Sequence, residues 1–166
     1  MVFEIYQIGK SNFQSNKKEA FELNSKSSFG ESKEGKIIYS VYEVLYLIEK
    51  RQVKLLKNNK EIKFSELLKK ADSALYEVFK DLRDKGNILK EGLKFGADFR
   101  VYEKGDKPGK AHAKYLLFIV NGKNINTLAF AAKARIAHST KKILLLAIVD
   151  GEGDVSYYET NWKSKE

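Results

Sequence analysis

The spacing of apolar positions changes character partway along the chain. From residue 1 to about 71, short strand-like runs such as Val2 to Ile8 and Ala20 to Leu23 lie among Ser, Asn, Lys and Gly. The polar, glycine-containing stretch from Asn24 to Gly35 predicts a loop or a long hairpin. Val41, Val44, Leu45 and Ile48 then fall at i, i+3, i+4 and i+7, the apolar face of a helix with Ser40 as its N-cap. A weaker helix is expected from Phe64 to Ala71. Leu75, Val78, Phe79 and Leu82 repeat the helical spacing, with Asp72 or Ser73 as cap and Gly86 as terminator.

Beyond Gly86 the pattern turns to strands. Ile88 to Leu93 and Ala97 to Glu103 predict a hairpin with Gly92 and Gly96 near its turn. Tyr115 to Val120 and Ile143 to Val149 are unbroken apolar runs, as in strands covered on both faces. Between them Asn126 to Ser139 reads as a helix with Leu128, Ala132 and Ile136 on one stripe, and Val155 to Trp162 makes a last strand. The expectation is an α/β (α+β) chain in two parts. A small mixed N-terminal domain over 1–71 precedes a C-terminal domain over 72–166, with a central mixed sheet flanked by helices.

Composition narrows the function classes. The chain has 166 residues, 43% of them apolar, which is enough for packed cores. The absence of cysteine excludes disulfides, thiolate zinc sites and a thiol nucleophile. The longest apolar runs fall far short of the roughly 20 residues of a membrane span. Met1 to Lys10 has no cleavable apolar segment, so the chain reads as cytoplasmic with no membrane partner. A net charge of +9 suits a polyanionic partner such as nucleic acid. The interleaving of Lys and Glu also fits an ordinary solvated surface or a heat-stable protein.

Several side chains are chemically suggestive. In Phe99-Arg100-Val101-Tyr102, alternation sets Tyr102 on the face opposite Phe99 and Val101, beside a cation. An idle surface tyrosine would look the same. His112 follows a polar loop, Lys104 to Lys110, that holds the only proline, Pro108. Loop histidines at strand ends serve function or simply face water. His138, near a helix end, is explained by capping or by the helix dipole. Lys141 and Lys142 open the most apolar strand, where solvation is the ordinary explanation. Arg135 is one of only four arginines among 31 basic residues, and a planar fork suits bases or phosphates held in fixed geometry. Tyr, His and Lys are the base, acid and cation that RNA cleavage needs, although spacing alone leaves open whether they meet.

Taken as a string, the C-terminal half resembles the catalytic domain of the archaeal tRNA-splicing (tRNA-intron) endonucleases. The resemblance runs through Asp81-Leu82-Arg83-Asp84-Lys85-Gly86 and Gly92-Leu93-Lys94-Phe95-Gly96-Ala97-Asp98-Phe99-Arg100-Val101-Tyr102. It continues with His112, Arg135-Ile136-Ala137-His138-Ser139, Lys142, Leu146-Ala147-Ile148-Val149-Asp150 and Tyr157-Tyr158. The helix around Tyr42 to Leu47 resembles the family's N-terminal domain less specifically, and Ala113 stands where relatives commonly have serine.

The resemblance implies an RNA-cleaving enzyme that uses no metal and no cofactor. Tyr102 would be the general base, His112 the general acid and Lys142, rather than Lys141, the stabilising cation. A free phenol is only about one part in a thousand ionised at pH 7, so the base would need Lys142 or Arg100 beside it. Arg135 and Trp162 would stack on a flipped-out base. Asp150, Glu152 and Asp154 would form an acidic loop that docks on another subunit. The implied substrate is precursor tRNA with a bulge-helix-bulge. The implied assembly is a homotetramer, or a heterotetramer with a second endonuclease subunit. A non-catalytic structural or RNA-binding subunit is the alternative. A metal-dependent nuclease ranks last, because the chain lacks a convincing carboxylate cluster.

Overall fold

The computed structural model describes residues 1–120 and 124–163. The chain folds as two units, Met1–Tyr76 and Glu77–Glu166.

The first unit contains β1 (Phe3–Ile8), β2 (Asn12–Ser15), α1 (Lys18–Ser27), β3 (Glu31–Lys33), β4 (Lys36–Tyr39), α2 (Val41–Glu49), β5 (Val53–Lys57), β6 (Lys60–Ile62) and α3 (Phe64–Leu68). Its six strands form one sheet in the order β3-β4-β2-β1-β5-β6, antiparallel except for the parallel β1–β5 pair. The apolar face predicted for α2 is used, with Val44 and Leu45 fully buried and Val41 and Ile48 partly buried on the same core, and Leu47 is buried beside them. Its N-terminus is closed reciprocally. Ser40 Oγ accepts from the Glu43 amide at 3.2 Å, and Glu43 Oε2 accepts from the Ser40 amide at 2.9 Å. Glu43 is itself buried, and its other oxygen accepts from the Gly30 amide at 2.9 Å.

One expectation here is overturned. Ala20 to Leu23 is not a strand but the middle of α1, with Ala20 buried and Phe21 and Leu23 packed on the same core. An apolar run of four residues is compatible with either period, and length alone does not separate them. The stretch from Asn24 to Gly35, expected as a loop or a long hairpin, holds the end of this helix and the outer strand of the β3–β4 hairpin. Asn24 fastens the turn between them, its side-chain amide donating to the Phe29 and Gly30 carbonyls at 2.9 Å each.

The helix α4 (Ser73–Asp84) begins within the first unit and continues into the second. Asp72 is its cap, with Oδ1 accepting from the Ala74 and Leu75 amides at 2.9 and 3.1 Å. The second unit adds β7 (Ile88–Gly92), β8 (Ala97–Tyr102), β9 (Tyr115–Val120), α5 (Thr127–Ser139), β10 (Ile143–Val149) and β11 (Val155–Thr160). The sheet order is β11-β10-β9-β8-β7, antiparallel except for the β9–β10 pair that α5 connects. The chain is therefore a mixed α+β protein built on two mixed sheets.

In the second sheet Phe99 stands opposite Leu117, and Leu117 opposite Leu145. This face meets α4, where the Phe79 and Phe99 rings lie 5.8 Å apart. Arg100, Leu116 and Leu144 lie on the other face, and there Leu116, Leu144 and Leu146 pack with Ala137 of α5. Both middle strands are covered on both faces, as their unbroken apolar runs predicted. Gly92 ends β7 because a Cβ there would meet the Ala97 carbonyl oxygen at 2.7 Å, so only glycine admits the tight, bulged turn.

The predicted stripe of α5 is also corrected. Leu128 is 81% exposed and Ile136 faces solvent, while Phe130, Ala134 and Ala137 pack on the sheet. Two stripes with helical spacing were present, and the one rich in alanine lets the helix approach the sheet closely. The last strand ends at Thr160, leaving Trp162 beyond it.

Candidate active site

One cleft in the second unit gathers most of the suggestive residues. Its volume is about 370 Å³, and Lys94, Phe95, Arg100, Tyr102, Lys110, His112 and Lys142 line it together with Gly109, Ala111 and Ala113. Tyr102, His112 and Lys142 come from the end of β8, the loop that follows it and the entrance to β10.

Tyr102 takes the predicted face, beside Arg100, but it is not a surface tyrosine. It is only 4% exposed and packs with Ile88 and Ala113. The sheet face that leaves the α4 core is itself covered, which alternation along one strand does not reveal. Arg100 Nη1 donates to the Tyr102 hydroxyl at 3.4 Å. Asn87 donates to the Tyr102 carbonyl at 3.0 Å, so backbone and phenol are both held.

The loop that carries His112 is braced at both ends. The Lys107 carbonyl accepts from the Lys110 and Ala111 amides at 3.1 and 3.0 Å, and the Lys114 amide donates to the Val101 carbonyl at 3.0 Å. Ala113 is buried beneath the tyrosine, so its neighbour His112 stays at the cleft while remaining exposed. Ala113 thus supplies a methyl to this small core.

Lys141 and Lys142 separate clearly. Lys141 takes the left-handed backbone conformation, φ 56°, that turns the chain from α5 into β10. Lys142 follows, its amide donating to the Ala137 carbonyl at 2.8 Å, and its side chain lines the cleft where that of Lys141 does not. The Lys142 ammonium lies 5.5 Å from the Phe95 ring centroid. Burial, and then the nearby charge of Arg100, lowers its pKa from the ordinary lysine value.

Lys94, Phe95 and Lys110 are members of the cleft that sequence reasoning did not single out. Their signal was present as basic and aromatic residues in glycine-flanked turns beside the candidate tyrosine and histidine. The charged or titratable side chains lining the cleft are Lys94, Arg100, Lys110, His112, Lys142 and Tyr102, and none of the described lining residues is a carboxylate. Such a wall attracts an anion. A phenol, an imidazole and an ammonium around one anion can move protons and stabilise added negative charge. Among the described residues no group of three or more His, Asp or Glu side chains is arranged to hold a metal ion.

The remaining candidates lie elsewhere. Arg135 is exposed on α5. Trp162, 44% exposed, stacks on His138 with centroids 5.3 Å apart and planes at 24°. Neither Arg135 nor Trp162 lines the cleft. The histidine explained by its helix end is thus the neighbour of the tryptophan, three residues beyond Arg135 on the same helix. Asp150, Glu152 and Asp154 form the exposed β10–β11 turn. Asp150 Oδ1 accepts from the Glu152 and Asp154 amides at 2.9 and 3.0 Å, which leaves Glu152 and Asp154 as its outward carboxylates.

Comparison with known proteins agrees across both units. The family model for the tRNA intron endonuclease catalytic C-terminal domain matches residues 72–157, and the model for its N-terminal domain matches residues 6–68. A tRNA-splicing endonuclease of Pyrococcus horikoshii is 36% identical over 166 residues, 96% of this chain and 95% of the relative. One from Methanothermobacter thermautotrophicus is 36% identical over 86% of this chain and 87% of its own length. One from Nanoarchaeum equitans is 38% identical over 73% of this chain and 86% of its own. With both family domains matched in order and similarity of this extent, the chain belongs to the tRNA intron endonuclease family.

Proposed function

We propose that this chain is the catalytic subunit of a tRNA-splicing endonuclease that cuts precursor tRNA at the two junctions of a bulge-helix-bulge, without a metal ion. The observation that carries the reading is the cleft lined by Tyr102, His112 and Lys142, with cations and no carboxylate among its charged lining groups. Tyr102 takes the proton from the 2′-hydroxyl, and that oxygen attacks the adjacent phosphorus. The bond from phosphorus to the 5′-oxygen breaks, and His112 gives that oxygen a proton. Lys142 faces the negative charge that builds on the phosphoryl oxygens. The products are a 2′,3′-cyclic phosphate and a 5′-hydroxyl.

Residues 72–166 form the catalytic domain in this reading, and residues 1–71 the N-terminal domain. Arg135 and Trp162 grip a bulged base by stacking, with His138 backing the indole. Glu152 and Asp154 dock the β10–β11 turn on another subunit, giving a homotetramer or a heterotetramer with a second endonuclease subunit. Two junctions on one RNA call for more than one active site.

The acid assignment has a specific test. His112→Ala abolishes cleavage of ordinary RNA but recovers activity on RNA whose 5′-bridging oxygen is replaced by sulfur, which leaves without protonation. Equal loss on both substrates contradicts the assignment of His112 as the acid.

A further inference from the structure

We propose that Arg100 and Lys142 together form a binding site for the non-bridging oxygens of the scissile phosphate, making Arg100 a second cation that stabilises the transition state. This rests on the RNA-cleaving reading above and adds a residue to its machinery.

Two bonds fix the plane of the Arg100 guanidinium. Nε donates to the Glu91 carbonyl on β7 at 2.9 Å, and Nη1 donates to the Tyr102 hydroxyl at 3.4 Å. A guanidinium carries five N–H groups, so three, including both on Nη2, have no acceptor among the described residues. A brace for the hairpin needs only the Nε bond. The rest of the fork faces a cleft.

Lys142 enters the same cleft from β10, with its ammonium over the Phe95 ring and no carboxylate partner among the described residues. The two cations lie close enough for Arg100 to disfavour the charge on Lys142. Lys94, Lys110 and His112, which also line the cleft, offer no compensation. The carboxylates along the neighbouring strands are engaged elsewhere. Glu91 Oε2 accepts from the Leu93 amide at 2.8 Å, Asp98 from the Ile119 amide at 2.8 Å, and Glu103 pairs with Lys114. Like charges held together and partly desolvated are unfavourable unless an anion joins them. A phosphodiester supplies that anion, and its two non-bridging oxygens suit a planar fork on one side and a point charge on the other.

The test uses the full chain with inorganic phosphate as probe, and bulge-helix-bulge RNA in parallel. Arg100→Gln weakens phosphate binding about tenfold or more and lowers kcat about 10²–10³-fold with a smaller change in KM. Arg100→Lys, which keeps the charge without the fork, restores part of both and controls for folding alongside thermal melts. The Lys142 side-chain NMR signal gives a readout that a brace would not move. Phosphate raises the titration point of Lys142 in the wild type and has little effect in Arg100→Gln. Unchanged phosphate affinity and an unchanged Lys142 response in Arg100→Gln overturn the proposal, and wild-type cleavage then leaves the endonuclease reading intact. Arg100-dependent phosphate binding in a chain that cleaves no RNA keeps the anion site and removes that reading instead.

Discussion

The ammonium of Lys142 sits 5.5 Å from the centroid of the Phe95 ring, on the wall of the cleft that Tyr102 and His112 share. The ring gives the cation a soft electrostatic partner and shields it from water without neutralising it. Phe95→Leu retains apolar packing and removes the π face. A cation–π contact of about 0.5–1 kcal/mol corresponds to a two- to fivefold loss of cleavage rate. Single-turnover cleavage at saturating RNA measures this, and an unchanged rate means that the ring only packs.

The pH profile follows from the same lysine. Burial and Arg100 lower the pKa of Lys142 from the ordinary 10.5, so its charge is lost at a lower pH than that of a free lysine. The free enzyme sets kcat/KM, which therefore turns down before pH 10.5. Lys142→Arg stays protonated and moves that fall upward. For stability, the unfolded chain holds more protons between the lowered and ordinary values, so Lys142 favours folding more as pH rises through that window. Its side chain is only partly buried, which keeps this contribution small.

Tyr102→Phe separates chemistry from packing. The ring stays with Ile88 and Ala113, and only the hydroxyl that meets Arg100 is lost. Stability falls by no more than about 1 kcal/mol. Cleavage falls about 10²–10⁴-fold. A thermal melt and a rate on the same preparation check both, and a rate close to wild type removes Tyr102 from the mechanism.

These side chains were legible in the sequence to different degrees. The period-3.6 face of α2, its Ser40 cap and the apolar runs of β9 and β10 encode local geometry and burial directly, and the structure follows them. Leu128 and Ile136 misled because α5 carries two stripes, and which one packs depends on how close the sheet lets the helix come. Ala20 to Leu23 is too short to show a period. Tyr102 was placed on the right face, but its burial depends on Ala113, eleven residues away. Phe95 and Lys94 joined the cleft through a turn whose path no spacing rule predicts.

Neither Trp162 nor the acidic turn lines the cleft, and variants there test the proposed binding and assembly roles separately from the chemistry. Trp162→Ala removes an indole stacked on His138 and weakens RNA binding by about 1–3 kcal/mol if it stacks on a base. Fluorescence anisotropy with uncleavable 2′-deoxy-substituted RNA reads this directly, and unchanged affinity removes Trp162 from the RNA site.

Glu152→Lys leaves the Asp150 turn bonds in place, because Asp150 meets only the backbone of residue 152. Sedimentation of this variant should show smaller species while circular dichroism is unchanged. A wild-type sedimentation pattern contradicts the docking role.

The most direct measurement is cleavage of an end-labelled bulge-helix-bulge RNA by the chain, together with any required partner subunit, in excess EDTA, with both product ends identified. Cuts at both bulges, 2′,3′-cyclic phosphate and 5′-hydroxyl ends, and loss of all cutting with His112→Ala are the expected result. Cleavage that stops in EDTA and returns with a divalent metal, or that leaves a 5′-phosphate, would contradict it.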